Sequence, residues 1–162
     1  MTNGETRRLK VGILGVGAAA QWYYLPATKT WSDRLQLTAV CDLDQDRARH
    51  FGAMYDAKSV FTDYEQMLAN ADIDAVAILT PHERHAEQVL LAVEHDKHVL
   101  IEKPMAGTLA DALTICEAAE AKGIHVSCAP PNMLHPGQRR LMQLVSSGAI
   151  GDVSLVRTTR SS

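Results

Sequence analysis

Charge of one sign is the first thing this sequence lacks. Its 19 acidic residues nearly balance 16 Lys and Arg, leaving a net charge of −3. Neither sign gathers into a stripe, so a nucleic-acid partner is not expected. Long apolar runs are also missing. None approaches the roughly 20 residues needed to span a bilayer, and Arg7 and Arg8 are not followed by the apolar core of a signal peptide. No membrane association is expected, and a cytoplasmic location is. Cysteine is scarce: Cys41, Cys116 and Cys128 are odd in number, show no CxxC spacing and sit in apolar segments, which reads as reduced core residues rather than a disulfide. Repeats, low-complexity tracts and linkers are absent too. At 162 residues the chain has room for one ordinary domain with a real core.

What is present is an alternation of short apolar runs with amphipathic stretches, the pattern of linked βαβ units. Candidate strands are residues 10–15, 35–41, 59–61, 75–79, 98–101 and 125–128. Several are apolar at successive positions, as strands covered on both faces are, which predicts an α/β fold with a doubly wound, mostly parallel sheet and helices on each side. Thr80, Pro81 and Glu83 offer a cap, a preset φ and a reciprocal carboxylate to a helix whose Ala86, Val89, Leu90 and Val93 form one face. Thr62 with Glu65, and Thr108 with Asp111, repeat the device. A further helix is expected from Pro136 to Gly148, carrying Leu141, Leu144 and Val145, and a seventh strand over residues 153–158.

The first strand runs into "GVGAAA", which fits G-x-G-x-x-[GA] with Gly15, Gly17 and Ala20. Gly15 permits a tight turn, Gly17 lets backbone approach a pyrophosphate, and Ala20 allows helix and strand to pack closely. Residues Gly15, Val16, Gly17, Ala18, Ala19 and Ala20 are thus the expected phosphate cradle, aided by the helix N-terminus. Asp42 ends the second strand, 22 positions after Ala20. It reads either as a turn residue opening the next helix or as an acceptor for both ribose hydroxyls of a dinucleotide. A carboxylate there repels a 2′-phosphate and no arginine follows immediately, so NAD is favoured over NADP.

In a doubly wound sheet, ligands lie beyond the carboxyl ends of the strands. Two polar clusters fall at such ends: "TPHERH", with Thr80, Pro81, His82 and His85, and "EKP", with Glu102, Lys103 and Pro104. His82 and His85 lack a nearby third ligand, so no metal site is expected. On spacing alone, Glu102 and Lys103 are either a surface pair ending a strand or part of a ligand site. The aromatic cluster Trp22, Tyr23 and Tyr24 is bulky for a first helix and reads as packing against another surface, with cofactor or substrate stacking as the alternative.

"GILGVGAAA", "VCDLD", the run from "LTPHERH" through "EKPMAGTLADALTICEAAEAKGIHV", and "LVSSGAIGDV", in that order, resemble the glucose-fructose oxidoreductase, inositol dehydrogenase and rhizopine-catabolism family. The resemblance covers residues 9–157 and implies a Rossmann domain over residues 1–150. It implies hydride transfer between a nicotinamide cofactor and a sugar, cyclitol or similar secondary alcohol or carbonyl. Lys103 matches the family's proton-transfer lysine, and Glu102 would position or partly neutralise it; a lysine partly desolvated beside a positive nicotinamide has its pKa drawn toward the working range. Thr80, Pro81, His82, His85, Glu102 and Lys103 would lie along the cofactor, with His85 near the nicotinamide. Many relatives carry a basic pair where this chain has Asn132 and Met133. The family's second, α+β domain, which supplies most substrate contacts, is expected to be absent, with residues 151–162 its first strand. That exposed strand is expected to mediate a homo-oligomer. A non-catalytic nucleotide-binding sensor or partner subunit is the alternative function.

Overall fold

In a computed structural model, residues 7–129, 135–157 and 159 are described. By internal contacts the chain divides into two units, Met1–Ala129 and Pro130–Ser162.

The first unit holds six strands, β1 (Leu9–Leu14), β2 (Leu35–Cys41), β3 (Ser59–Phe61), β4 (Ala75–Ile78), β5 (His98–Ile101) and β6 (Val126–Cys128). They form one sheet in the order β3-β2-β1-β4-β5-β6, with parallel pairing throughout. The helices are α1 (Leu25–Thr30), α2 (Gln45–Met54), α3 (Tyr64–Asn70), α4 (His85–Glu94) and α5 (Leu109–Lys122). The order reverses between β1 and β4, which opens a crevice at the carboxyl ends of those strands.

Successive apolar positions in the strands serve opposite faces. Leu14, Ala39, Cys41, Val76, Ile78, Val99 and Ile101 pack with Met67 and Leu68 of α3, Val89 and Val93 of α4, and Ile115 of α5. Their neighbours Ile13, Leu37, Val40, Ala77 and Leu79 pack with Ala20, Leu25 and Ala48. Each such large side chain, fully buried, contributes on the order of 1.5–3 kcal/mol. The second face is less complete: Leu100, between buried Val99 and Ile101, is 37% exposed.

Most strand limits fall where the sequence puts them, with Gly15, Leu79 and His125 lying just outside. Thr108 caps α5 as expected, accepting from Asp111 N–H at 3.1 Å. The other two caps differ. Asp63, not Thr62, accepts from Gln66 N–H at the start of α3, because a carboxylate one residue further on meets the same free N–H groups. Thr80 caps nothing: Pro81 leads into a 3-10 turn over His82–Arg84, and α4 begins at His85. Cys41 is buried and Cys128 half-buried, but Cys116 lies on the outer side of α5 and is exposed.

The second unit contains α6 (Pro136–Ser146), followed by Gly148 in the left-handed region at φ 70°. Residues 151–157 are exposed and form no strand. Their β-forming composition finds no ladder among the described residues, and an extended segment without neighbours leaves its backbone to water. Asn132 and Met133 lie outside the described residues. Among the described residues no helix is long and apolar enough to cross a membrane.

Candidate cofactor site

A cleft of about 610 Å³ lies at the carboxyl ends of β1, β2 and β4, lined among others by Gly15, Gly17, Asp42, Arg47, Thr80 and Pro81. Its floor is the glycine turn. Gly15 has φ +86°, and a Cβ there would stand 3.1 Å from the Leu79 carbonyl oxygen and 3.2 Å from Thr80 Cγ2. Both the backbone conformation and the approach of β4 require glycine. A Cβ at Gly17 would meet no protein atom within 4 Å, so the missing side chain is space left on the cleft side. Ala20 is fully buried between helix and sheet. Val16 is buried too, whereas Ala18 is exposed and Ala19 half-buried.

Asp42 closes the turn from β2. Its Oδ2 accepts from Val16 N–H at 2.8 Å, and its Oδ1 from Asp44 N–H at 3.0 Å and Arg47 Nη2 at 2.7 Å. Burial would push this carboxyl up, but the hydrogen bonds from Arg47, Asp44 and Val16 and the guanidinium charge outweigh it and hold Asp42 below the ordinary carboxylate range. No arginine follows Asp42 immediately in sequence, but the fold brings Arg47 onto it. Arg47 lies one helical turn into α2, a spacing of five that brings it back over the end of β2. Beneath Asp42, the Cys41 thiol is pushed up to about 12 by burial and by the Asp42 and Asp63 charges, so it is an inert core thiol.

The segment after β4 is tied down rather than open. The Thr80 hydroxyl donates to Gln88 Oε1, and Gln88 is buried on the inner face of α4. His85, expected beside a nicotinamide, is 1% exposed. Its Nδ1 lies 2.7 Å from Pro104 O and its Nε2 3.0 Å from Thr80 O. Both ring nitrogens thus face carbonyl oxygens of the loops after β4 and β5, a neutral imidazole donating to one of the two, and His85 packs between those loops. His82 is exposed, 3.5 Å from Glu83.

Beyond β5, Glu102 is half-buried and Lys103 exposed. Glu102 Oε1 accepts from the Tyr24 hydroxyl at 2.7 Å and Oε2 from Lys103 N–H at 3.0 Å. The carboxylate therefore holds the lysine's backbone, not its ammonium, and the burial expected around Lys103 is not supplied by the described residues. Trp22 and Tyr23 are 75% and 72% exposed. Arg47 and Gln88 line the cleft without having been singled out in the sequence, and Tyr24, read there as packing or stacking, instead holds Glu102. Gln88 had a signal, a polar residue on an apolar helical face.

A parallel sheet with this strand order, a glycine turn and an acid at the end of β2 define a dinucleotide-binding α/β domain. The turn with its open Gly17 face and the cleft of about 610 Å³ fit such a ligand. Residues 9–129 match the Gfo/Idh/MocA family, described as "Oxidoreductase family, NAD-binding Rossmann fold", and the chain belongs to that family. It is 32% identical over 150 residues to a 1-carboxy-3-chloro-3,4-dihydroxycyclohexa-1,5-diene dehydrogenase of Comamonas testosteroni, matching 93% of this chain and 37% of the relative. To inositol 2-dehydrogenase 3 of Saccharopolyspora erythraea it is 33% identical, over 88% of this chain and 42% of the relative. The crystal structure of scyllo-inositol dehydrogenase from Lactobacillus casei with bound NAD(H) and scyllo-inositol superposes with a TM-score of 0.82 at 26% identity, over 90% of this chain and 43% of that one. The chain thus spans less than half the length of these relatives.

Proposed function

We propose that this chain is the nucleotide-binding part of an NAD(P)-dependent oxidoreductase acting on a sugar, a cyclitol or a similar secondary alcohol or carbonyl. The observation that carries the reading is the cleft at the strand-order switch, floored by Gly15 and Gly17 and closed by Asp42, in a chain of this family. The backbone from Gly15 to Ala20 would hold the pyrophosphate, Asp42 the adenosine ribose, and Thr80 and Pro81 the stretch toward the nicotinamide. When bound, the nicotinamide ring supplies the hydride acceptor or donor. Lys103 would take the carbinol proton during oxidation and return it during reduction, with Glu102 fixing the lysine's backbone.

NAD is the cofactor we assign. A carboxylate has about four acceptor positions, of which Asp42 already uses three. Binding both ribose hydroxyls asks Arg47 to swing away, while a 2′-phosphate would be drawn to Arg47 but pushed by Asp42. The test is a fluorescence titration of the whole chain with NADH and NADPH. Tighter binding of NADH, lost in Asp42→Ala, supports the assignment; equal affinities, or no effect of the substitution, sink it.

The exposure of Lys103 favours a second point: alone, this chain turns over no polyol. Positioning of substrate is worth about 7–11 kcal/mol in favourable systems, and the described residues provide no walls around Lys103 for it. Robust turnover by the homogeneous chain, abolished in Lys103→Met, would overturn this. A sensor or partner subunit would keep nucleotide binding and show no turnover under any complementation by a second domain.

A further inference from the structure

The helix after the glycine turn is not regular. Over Ala20–Tyr24 it widens into a π-turn, closed by Leu25 N–H donating to Ala20 O. One extra residue in a turn shifts the phase of the succeeding side chains by roughly 100°. The two adjacent tyrosines face different ways: Tyr23 points outward, 72% exposed, and Tyr24 is half-buried with its hydroxyl 2.7 Å from Glu102 Oε1.

At the other end of this contact, the backbone of Glu102 is already fixed, its N–H donating to Ile78 O of β4 at 3.1 Å. Its side chain is left two oxygens to place, and they go in opposite directions, one to the Tyr24 phenol and one to Lys103 N–H. Burial, then the hydrogen bond to Glu102 and its charge, push the Tyr24 phenol upward, so at neutral and mildly alkaline pH it remains a donor. While it stays protonated, the phenol keeps donating to Glu102 Oε1 and so favours the carboxylate orientation that leaves Oε2 to Lys103 N–H.

We propose that Tyr24 is a positioning residue for Lys103, acting through the Glu102 carboxylate and coupling the phosphate-cradle helix to the loop that carries the lysine. The proposal rests on the reading of Lys103 as the proton-transfer residue, but the contact itself is independent of any bound nucleotide. In the apo chain the phenol holds Glu102, and Glu102 holds the Lys103 peptide group. Movement of the cradle helix is then passed to the lysine through two hydrogen bonds.

The experiment is amide hydrogen exchange by NMR on the whole chain without nucleotide, comparing wild type, Tyr24→Phe and Glu102→Gln. Tyr24→Phe keeps the ring and removes one hydroxyl, and should speed exchange at Lys103 by about tenfold, the usual worth of a hydrogen bond to a charged group, with Val99 and Ile101 unchanged. A second, spectroscopic readout is tyrosine ionisation by ultraviolet difference absorbance. Glu102→Gln should bring one phenol down toward the ordinary tyrosine range, and that transition should be missing in the double variant with Tyr24→Phe. Unchanged Lys103 exchange in Tyr24→Phe, exchange that rises equally along β5, or a phenol indifferent to Glu102→Gln would each overturn the proposal. Failure of the cofactor reading would show separately, as absence of NADH binding by the wild-type chain.

Discussion

At the β1–β2 end of the cleft the polar groups are committed before any ligand arrives: Asp42 holds Val16 and Asp44 N–H and the Arg47 guanidinium, and Gly15 is pressed against β4. Beyond β5, where none of the described residues lines the cleft, the arrangement stops at the backbone. Glu102 and His85 fix the peptide groups on either side of Lys103, while the lysine side chain stands in solvent. One end is finished within the chain itself, a network that a bound ribose would have to open at Arg47; the other is a mount for a lysine that the described residues leave uncovered. Recognition and chemistry are therefore separable here, and binding is expected to be the property that this chain has by itself.

The largest effect that would break this contrast is at Gly15. Gly15→Val forces a β-branched residue into the left-handed region, costing about 1–2 kcal/mol for the backbone alone, and drives its Cβ onto the Leu79 carbonyl. Calorimetry should show Tm lowered by roughly 5 °C or more, and NADH binding should vanish. Retention of full affinity would mean that the turn is not the binding surface. Asp42→Ala comes next: loss of charge-assisted hydrogen bonds worth about 1.5–3 kcal/mol should weaken NADH by roughly 10- to 100-fold in an equilibrium titration.

Acid should act on the same end. The folded Asp42 carboxyl lies below its unfolded value of about 3.9, so its contribution to stability is complete above that value and is lost as pH falls through the lower folded one. Urea melts at successively lower pH should therefore lose stability below about pH 4 more steeply in wild type than in Asp42→Asn; parallel curves would contradict the network. The smallest effect sharpens the comparison. Arg47→Ala, an exposed partner of a buried acid, should leave NADH binding equal or slightly tighter and weaken NADPH a fewfold, measured side by side.

The finished end is also the end that could be read from sequence. Gly15, Gly17, Ala20 and Asp42 act through backbone freedom, size and a fixed strand position, and those are properties of a residue and its place in the chain. The strands were legible for the same reason, since β1, β2 and β4 bury both faces and write their apolar side chains consecutively. What escaped depends on partners distant in sequence. Tyr24 meets Glu102 across 78 positions of sequence, and His85 is enclosed because two loops bring carbonyls to it. Thr80 was a plausible cap until Gln88 took its hydroxyl. Of the strand expected over residues 153–158, the described residues 153–157 form none, because β composition states a tendency and a ladder needs a neighbour.

The central place of β1 has a bearing on how the chain is made. It pairs on one side with β2 and on the other with β4, so on leaving the ribosome it keeps an open edge until β4 has emerged, about sixty residues later. At about 5–20 residues per second, that is roughly three to thirteen seconds in which Val11 and Ile13 lie bare beside unmatched backbone donors. Parallel pairing cannot be hurried by a local hairpin, since each ladder waits for a crossover to close. The sheet is laid from its middle outward, and the nascent segment ending in the glycine turn is the stretch on which a ribosome-associated holdase would have the longest time to act.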